Sequence, residues 1–262
     1  MPEGDTVWRT ALNLDRALTG STLTQSDFRV PAHATLDLSG QVVEGTVSRG
    51  KHLLTRIGLE HTLHTHLKME GSWHLYRPET HWRRPAHEAR VVLRTEARVA
   101  VGFALGVVEV IPRDSEHEVV GHLGPDLLGP DWDEDEALRR LLADPAREVA
   151  DALIDQRNLA GIGNLYKSEV CFLAGVHPRT PVGEVPNLPR LVRRARSVLD
   201  ANKDRVEQTT TGDTRRGQTT WVFNRDRQRC RRCGTPIHMD RQGPQMQERT
   251  TFWCPTCQPE PG

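Results

Sequence analysis

The first apolar positions of the chain recur at helical spacing. Val7, Ala11, Leu14 and Leu18 fall on one side of a helix, and Gly20 follows as a residue that commonly ends one. This pattern predicts a helix over residues 3–18.

After this helix the apolar residues form short β-prone runs, from residue 22 to about residue 120. Gly, Pro and charged turns separate the runs, which is typical of antiparallel strands in a sandwich or barrel. The runs are Val42-Val43, Thr46-Val47, Leu53-Leu54, Thr62-Leu63, residues 91–93, residues 99–101 and residues 107–111.

The second half of the chain is predicted to be helical. Two Gly-Pro pairs in residues 123–131 indicate a hinge. Periodic apolar residues after this hinge predict four helices, at about residues 135–142, 146–155, 164–174 and 188–202.

Four of the five cysteines form two Cys-x-x-Cys pairs, Cys230/Cys233 and Cys254/Cys257. The 20 residues between the pairs suit a tetrahedral Zn²⁺ with four thiolate ligands, and such a closed shell makes the zinc structural. Disulfides are the alternative, although nothing in the sequence indicates secretion. The fifth cysteine, Cys171, lies in an apolar helical pattern and is interpreted as a core residue.

Charge is distributed unevenly along the chain. Basic and acidic residues balance at 35 each, but residues 191–262 hold 14 Lys and Arg against 8 Asp and Glu, a net charge of +6. A basic end beside a zinc ribbon indicates a polyanionic partner, with nucleic acid preferred over the alternative of a solvated charged surface. Arginines crowd the cysteine pairs at Arg225, Arg227, Arg229, Arg231, Arg232 and Arg249, and Arg225 is predicted to contact the nucleic acid.

The sequence also carries an expectation about the compartment. No run approaches the roughly 18 apolar residues of a membrane span, and the polar first residues do not resemble a signal peptide. We expect a protein of the reducing cytoplasm with no membrane partner.

A glycine-rich turn precedes the third predicted helix of the second half. Gly161 and Gly163 would turn backbone amides outward at the start of that helix, where free N–H groups and the helix dipole attract phosphate. Asn164 could cap the helix and also donate to a phosphate. An ordinary helix–turn–helix corner that requires glycine is the alternative.

The N-terminus offers a nucleophile. Removal of Met1 would expose a secondary α-amine at Pro2, and an α-amine has a pKa near 8, against about 10.4 for lysine. Its neutral fraction can attack a carbon and form an iminium, and the adjacent Glu3 could transfer protons.

Together these segments resemble the formamidopyrimidine-DNA glycosylase/endonuclease VIII family, closest to the endonuclease VIII branch. The matching motifs occur in the family's order and span nearly the whole chain. They are Pro2-Glu3-Gly4, Ser48-Arg-Gly-Lys-His-Leu-Leu54, His66-Leu-Lys-Met-Glu-Gly71, Leu123-Gly-Pro-Asp-Leu-Leu128, Asn158-Leu-Ala-Gly-Ile-Gly-Asn-Leu-Tyr-Lys-Ser-Glu169, and the two cysteine pairs with Arg249 before the second.

The resemblance implies a bifunctional enzyme of base excision repair that acts on damaged double-stranded DNA. Pro2 would attack C1′ of the damaged nucleotide and form a Schiff base, Glu3 would act as general acid and base, and β,δ-elimination would cut the strand. Lys51 would hold the phosphate that flanks the lesion. Asn164 and Arg249 would clamp further phosphates.

The resemblance also implies an α+β architecture with DNA between its two domains. We expect an N-terminal β-sandwich with a leading helix, a helix–two-turn–helix domain and a zinc-finger subdomain, in a monomeric protein of the nucleoid. The predicted boundaries are 1–120 for the catalytic sandwich, 121–131 for a hinge linker, 132–212 for the helical domain and 213–262 for the zinc finger.

A flipped base leaves a gap in the duplex that an apolar side chain can fill. The loop Lys68-Met69-Glu70 is the candidate wedge, with Met69 at its tip; a methionine packed in the sandwich core is the alternative.

Two departures from the family pattern bear on the substrate. Asp5-Thr6 replaces the Pro-Glu of one subgroup, and Ile111-Pro-Arg-Asp-Ser115 stands where the formamidopyrimidine branch has an Arg-Phe-Gly motif. A single wedge loop favours oxidised pyrimidines as substrates, with single-stranded DNA as a second substrate form. The alternatives are a glycosylase for oxidised purines, a non-enzymatic DNA-binding zinc-ribbon protein and an RNA-associated zinc-ribbon protein.

Overall fold

A computed structural model describes residues 2–243 and 248–261, and the chain divides into two compact units. The first unit ends at His122 and the second begins at Leu123. Met1, whose removal the sequence analysis expects, lies outside the described residues.

The first unit begins with the predicted helix, α1 (Gly4–Leu18). Its apolar side chains are buried in the main core of this unit, and the helix packs along strand β2. Antiparallel strands follow: β1 (Gln25–Phe28), β2 (Val43–Arg49), β3 (His52–Ile57), β4 (His61–His66), β5 (Ser72–Tyr76), β6 (Ala89–Arg94), β7 (Val99–Phe103) and β8 (Val107–Pro112).

The strands form two four-stranded sheets, in the orders β1-β6-β7-β5 and β2-β3-β4-β8. Strands β1 and β5 were not predicted, and both lie at the edges of the first sheet. β1 has the sequence Gln-Ser-Asp-Phe and buries only Phe28, so an edge strand of this kind leaves no apolar run to detect. A short helix, α2 (Glu116–Val120), closes the unit.

The second unit contains the four predicted helices, within three residues of their expected limits. They are α3 (Glu134–Leu141), α4 (Val149–Ile154), α5 (Asn164–Ala174) and α6 (Leu188–Asn202). Helix α5 is central, because nine of its eleven residues are buried. Apolar side chains from all four helices share one core.

The predicted hinge, residues 121–131, packs with the second unit from Leu123 onward. Leu127 is fully buried in the core of that unit, and its backbone N–H donates to Ala160 O at 3.1 Å. Two Gly-Pro pairs therefore mark a tightly packed turn region here as well as a boundary between units.

The C-terminal part of the second unit is a small ribbon. Strands β9 (His238–Gln242) and β10 (Arg249–Trp253) pair in antiparallel fashion, and Phe252 packs with Phe172 of α5 in a separate apolar cluster. The α+β fold class is confirmed, with a sandwich, a helical domain and a cysteine cluster in chain order. Among the described helices, none combines the length and apolar character needed to cross a bilayer.

Candidate active site

Pro2 stands directly before the first turn of α1. Pro2 is half-buried, and Glu3 is the N-cap residue, with a side chain that is 0% exposed. The backbone carbonyl of Glu3 accepts from Val7 N at 3.0 Å, while its carboxylate makes no capping bond to its own helix. A buried carboxylate therefore lies next to the candidate nucleophile and is not used to cap α1.

The register of α1 against β2 places the N-terminus at one end of the first unit. Thr46 N donates to Asp15 Oδ1 at 2.9 Å, and Gly20 N donates to Val43 O at 2.8 Å. The C-terminal end of α1 thus lies beside the start of β2. A helix of 15 residues is about 22 Å long, which is similar to the length of the seven-residue strand β2. The start of α1, and with it Pro2, therefore lies toward the end of β2.

Lys51 lies at that same end of the unit. Gly50 and Lys51 form the turn between β2 and β3, and Gly50 has a φ of +56°, in the left-handed region that favours glycine. The turn brings a lysine to the edge of the sheet where α1 begins. Lys51 and Pro2 therefore lie at the same end of the first unit.

The Lys68-Met69-Glu70 loop leaves the sheet at this end as well, because His66, the last residue of β4, pairs with His52, the first of β3. Lys68 has a φ of +52°, and its backbone N–H donates to His66 Nδ1 at 2.9 Å. Met69 is 64% exposed and does not pack in the sandwich core. The alternative of a core methionine is therefore wrong.

Gly106 allows the loop of residues 68–70 to lie against the sheet. A Cβ at this position would come within 2.2 Å of Lys68 Cγ, and Gly106 N donates to His66 O at 3.0 Å. A larger residue here would displace Lys68.

A histidine cluster next to Lys51 was missed by the sequence analysis. His52 and His64 lie on the face of β3 and β4 opposite the buried Leu53 and Leu63, and His52 Nδ1 is 2.8 Å from His64 Nε2. His64 Nδ1 is 2.9 Å from Glu109 Oε2 on β8. Histidines at alternate positions of β-prone runs were the available signal, and it was not used.

Burial is the main cause of the titration behaviour of this cluster. It lowers the pKa of His52 to about 3, with further lowering by His66, His64, His122 and Lys68. It lowers the pKa of His66 to about 4, with further lowering by Lys68 and Lys51. Both rings are therefore neutral near pH 7.

In the second unit, the glycine turn precedes α5 as predicted, but its amides are not turned outward: Gly161 and Gly163 are buried, and Gly161 N donates to Gln156 Oε1 at 3.0 Å. Asn164 does not cap the helix. Gly163 is the N-cap residue, in extended conformation, and Asn164 is the first helical residue. Asn164 Nδ2 instead donates to Thr250 O at 2.8 Å, on β10, and its Oδ1 is buried with no partner among the described residues. A side chain with helical backbone cannot fold back over its own N-terminus as a cap does. Gly161 takes a φ of +113°, which requires glycine.

The two ribbon arginines differ in their environments. Arg249, the first residue of β10, is exposed, whereas Arg225 is only 7% exposed. The guanidinium of Arg225 donates to Trp221 O at 2.6 Å and to Arg229 O at 2.8 Å. Arg225 therefore holds the loop before the cysteines, whereas the sequence predicted a contact with nucleic acid.

The four paired cysteines converge on one point. Their Sγ atoms all lie within 4.8 Å of one another, with Cys233–Cys254 at 3.4 Å and Cys230–Cys257 at 4.0 Å. A tetrahedral Zn–S bond of about 2.3 Å implies S–S separations of about 3.8 Å, between these two values, whereas a disulfide needs about 2.05 Å. The cluster fits a four-thiolate metal site and does not form disulfides.

Cys171 behaves as the sequence predicted. The residue is fully buried in the core of the second unit, and burial raises the pKa of its thiol to about 12. It is a core residue and not a nucleophile.

Comparisons with known proteins agree with this arrangement. The model of the formamidopyrimidine-DNA glycosylase N-terminal domain matches residues 1–104, and that of the formamidopyrimidine-DNA glycosylase H2TH domain matches residues 123–212. A "Probable endonuclease 8 2" of Streptomyces coelicolor is 53% identical, over 100% of this chain and 97% of the relative. A "DNA-(apurinic or apyrimidinic site) lyase Nei2" of Mycolicibacterium smegmatis is 50% identical, over 98% and 99%.

The fold has also been seen in solved structures. The formamidopyrimidine-DNA glycosylase of Lactococcus lactis, non-covalently bound to DNA with an AP site, superposes with a TM-score of 0.82 at 20% identity, over 99% of this chain and 100% of that one. The full-length identity to the relatives and the matches of both family models show that this chain belongs to the formamidopyrimidine-DNA glycosylase family of DNA-repair enzymes.

Proposed function

We propose that this protein is a bifunctional DNA glycosylase and AP lyase that removes oxidised bases, with a preference for pyrimidines. The observation that carries the proposal is the N-terminal proline beside the buried carboxylate of Glu3, at the end of the sandwich that also bears Lys51. An α-amine is a far better nucleophile near neutral pH than a lysine, because its pKa is about 8. The substrate is damaged double-stranded DNA, with single-stranded DNA as a second form.

In the proposed mechanism, the Pro2 nitrogen attacks C1′ of the damaged nucleotide and the base leaves with its bonding electrons. Glu3 donates a proton to open the sugar ring and later accepts one. The resulting iminium makes the adjacent C–H acidic, so that elimination releases the 3′ phosphate and a second elimination releases the 5′ phosphate. Lys51 holds a flanking phosphate, and its charge stabilises the negative charge that develops there.

Met69 is proposed to fill the space from which the base is flipped. Its side chain is apolar and 64% exposed, at the tip of a loop whose base is fixed by the Lys68–His66 hydrogen bond. Apolar wedges of this kind separate base steps at a cost of a few kcal/mol.

The second unit is proposed to bind the DNA backbone. Gly161, Gly163 and Asn164 lie at the start of α5, where the positive end of the helix dipole favours a phosphate, although the Asn164 side chain itself donates to Thr250 O. The exposed Arg249 offers a cation on β10. We propose Zn²⁺ as the metal of the four cysteines, with the structural role of tying the two ends of the ribbon together. We further propose a monomer that works at the nucleoid in the cytoplasm.

Borohydride trapping tests the chemistry. Borohydride should reduce the Schiff base on an abasic-site duplex and leave a covalent adduct, with the link at Pro2 by peptide mapping. Pro2→Gly should lower trapping and strand cutting by at least tenfold if the proline nitrogen is the nucleophile. The assignment fails if mature Pro2→Gly protein, with Met1 removed, cuts at the wild-type rate.

The competing function is a DNA-binding protein without catalysis. Mass spectrometry of the N-terminus distinguishes the two, because a retained Met1 would block the amine at Pro2 and leave only binding.

A further inference from the structure

His52, His64 and Glu109 form a line of hydrogen bonds across β3, β4 and β8, which we call the histidine chain. The direction of its hydrogen bonds follows from the carboxylate at one end. An ionised carboxylate only accepts hydrogen bonds, so His64 must donate its Nδ1–H to Glu109 Oε2, at 2.9 Å. His64 Nε2 then carries a lone pair and accepts from His52 Nδ1, at 2.8 Å. His52 Nε2 is therefore left without a proton.

Other histidines and Lys68 lie near the His52 ring. His52 makes no hydrogen bond through Nε2 to any residue that the structure describes. Its ring stacks on His64 at 5.1 Å between centroids, and meets His66 edge-on at 5.0 Å and His122 at 6.2 Å. The charged and titratable groups around it are Arg49 on β2, Lys51 in the turn, His64 and His66 on β4, Lys68 in the wedge loop, Glu109 on β8 through His64, and His122.

The neighbouring histidine has the opposite polarity. His66 Nδ1 accepts from Lys68 N, so the proton of the neutral His66 ring is on Nε2, where it can donate to an anion. Lys51 and Lys68 are also donors. Among His52, His66, Lys51 and Lys68, only His52 presents an acceptor, and a lone pair repels a phosphate oxygen. One proton on Nε2 would convert it into a charged donor.

The histidine chain can stabilise a proton on His52 Nε2. An imidazolium at His52 would keep its Nδ1–H bond to His64, which would keep its bond to Glu109, so no tautomer has to change. The carboxylate at the far end stabilises the positive charge through the intervening ring, as carboxylates do behind catalytic histidines. Glu109 is half-exposed, which gives the chain contact with solvent.

We infer that His52 takes up a proton when a DNA backbone phosphate binds beside Lys51, so that DNA binding is coupled to protonation. His52 is the binding residue, and His64 and Glu109 are positioning residues that act through it. The inference rests on the proposed function, because that function supplies the phosphate at Lys51.

The titration of the DNA-free protein is consistent with this coupling. Burial and the nearby cations keep the pKa of His52 low, at about 3, and the ring neutral. A bound phosphate would cancel the charges of Lys51 and Lys68 and attract the imidazolium, which would raise the pKa of His52 toward its ordinary value. Affinity should therefore increase as the pH falls.

Calorimetric titration of the full-length protein tests the inference. The probe is a duplex with a tetrahydrofuran abasic analogue, which cannot form a Schiff base, titrated at pH 6.5 in two buffers of different ionisation enthalpy. The wild type should take up a substantial fraction of one proton, and the affinity should rise by up to tenfold per pH unit as the pH falls. His52→Gln should lose this uptake, and Glu109→Gln should reduce it.

His74→Gln is the matched control. His74 is also part-buried and hydrogen-bonded on both nitrogens, at 3.1 Å to Ser72 and 3.0 Å to Tyr76, but it lies on the other sheet. Its proton uptake should equal that of the wild type. Thermal melting checks folding, and Glu109→Gln keeps the test decisive if His52→Gln does not fold.

The inference is overturned if the wild type binds without taking up protons, or if His52→Gln takes up as many as the wild type. Borohydride trapping by the same preparation separates the two proposals. If the protein forms the borohydride adduct but takes up no proton on binding, the proposed enzyme function stands and the inference fails. If it takes up a proton but forms no adduct, the phosphate site stands and the proposed enzyme function fails.

Discussion

At the scale of single residues, Glu3 is the side chain whose environment most constrains the chemistry. It is fully buried at the start of α1, next to Pro2. We expect Glu3→Gln to slow excision of an oxidised base by about 10²–10⁴-fold, because an amide cannot exchange protons. Strand cutting at a preformed abasic site should fall less, since the base has already left.

Single-turnover rates on the two substrates measure this difference. Glu44→Gln, an exposed position on β2, is the control and should behave like the wild type. Equal losses on both substrates would contradict the division of roles between Pro2 and Glu3.

Met69 carries a second prediction at this scale. Met69→Ala should slow excision from duplex DNA by about tenfold or more, because flipping costs a few kcal/mol and the wedge offsets part of it. Excision from single strands should change little, since they have no paired stack.

The control for Met69 is Leu59→Ala. Leu59 is also an exposed apolar residue, at 81%, but it lies in the turn between β3 and β4 at the opposite end of the sheet. A similar slowing on both DNA forms, or an equal effect of Leu59→Ala, would show that Met69 is not the wedge.

At the scale of elements, the ribbon depends on its cysteine cluster. Cys254 is fully buried and lies directly after β10, so a metal bound to its Sγ would anchor the strand that begins with Arg249 and contacts Asn164. Cys254→Ser should lower bound zinc from one ion per chain to near zero and weaken DNA binding, because the strand that carries Arg249 is released.

Elemental analysis and DNA titration check this prediction together. Cys171→Ser is the control: it removes a thiol outside the cluster, so its zinc content should remain at one per chain. Stoichiometric zinc in Cys254→Ser protein, or none in the wild type, would contradict the assigned metal site.

At the scale of the whole molecule, the prediction concerns which damaged base the enzyme prefers. The wedge loop of residues 68–70 is the one apolar insertion loop evident in the sequence, since residues 111–115 lack the Arg-Phe-Gly motif. With no second element to hold the base opposite the lesion, the enzyme should discriminate poorly between different opposite bases. We therefore expect thymine glycol in duplex DNA to be cut faster than 8-oxoguanine opposite cytosine.

A direct competition between the two labelled duplexes measures this ratio of kcat/KM. An undamaged duplex of the same sequence serves as the control for non-specific cutting. Faster cutting of 8-oxoguanine would place the protein with the purine-directed enzymes of its family.

Much of this molecule could be read from local sequence. Helical spacing predicted α1 and the four helices of the second unit, because an amphipathic helix must repeat its apolar residues every three or four positions. The cluster of four cysteines was equally evident, since residue type and spacing are enough to predict a metal site. The edge strands β1 and β5 were not, because half-exposed strands carry no apolar run.

Only the tertiary structure decided what several polar residues do. Arg225 and Asn164 each donate to backbone carbonyls, and the carboxylate of Glu169 accepts from Trp221, Val222 and Phe223 N–H groups at 2.8 Å each, more than 50 residues away. Sequence alone shows that such side chains can bind an anion or a backbone group, but not which one lies within reach.

The same distinction applies to the site. The sequence by itself determined the candidates for the nucleophile, its neighbouring acid and the metal ligands, because residue type and covalent adjacency or short spacing are enough to propose these roles. The histidine chain depends on the pairing of β3, β4 and β8, which brings His52, His64 and Glu109 together from positions up to 57 residues apart. Hydrogen bonds between strands require a register, and the register is set by the packing of the sheet on its core.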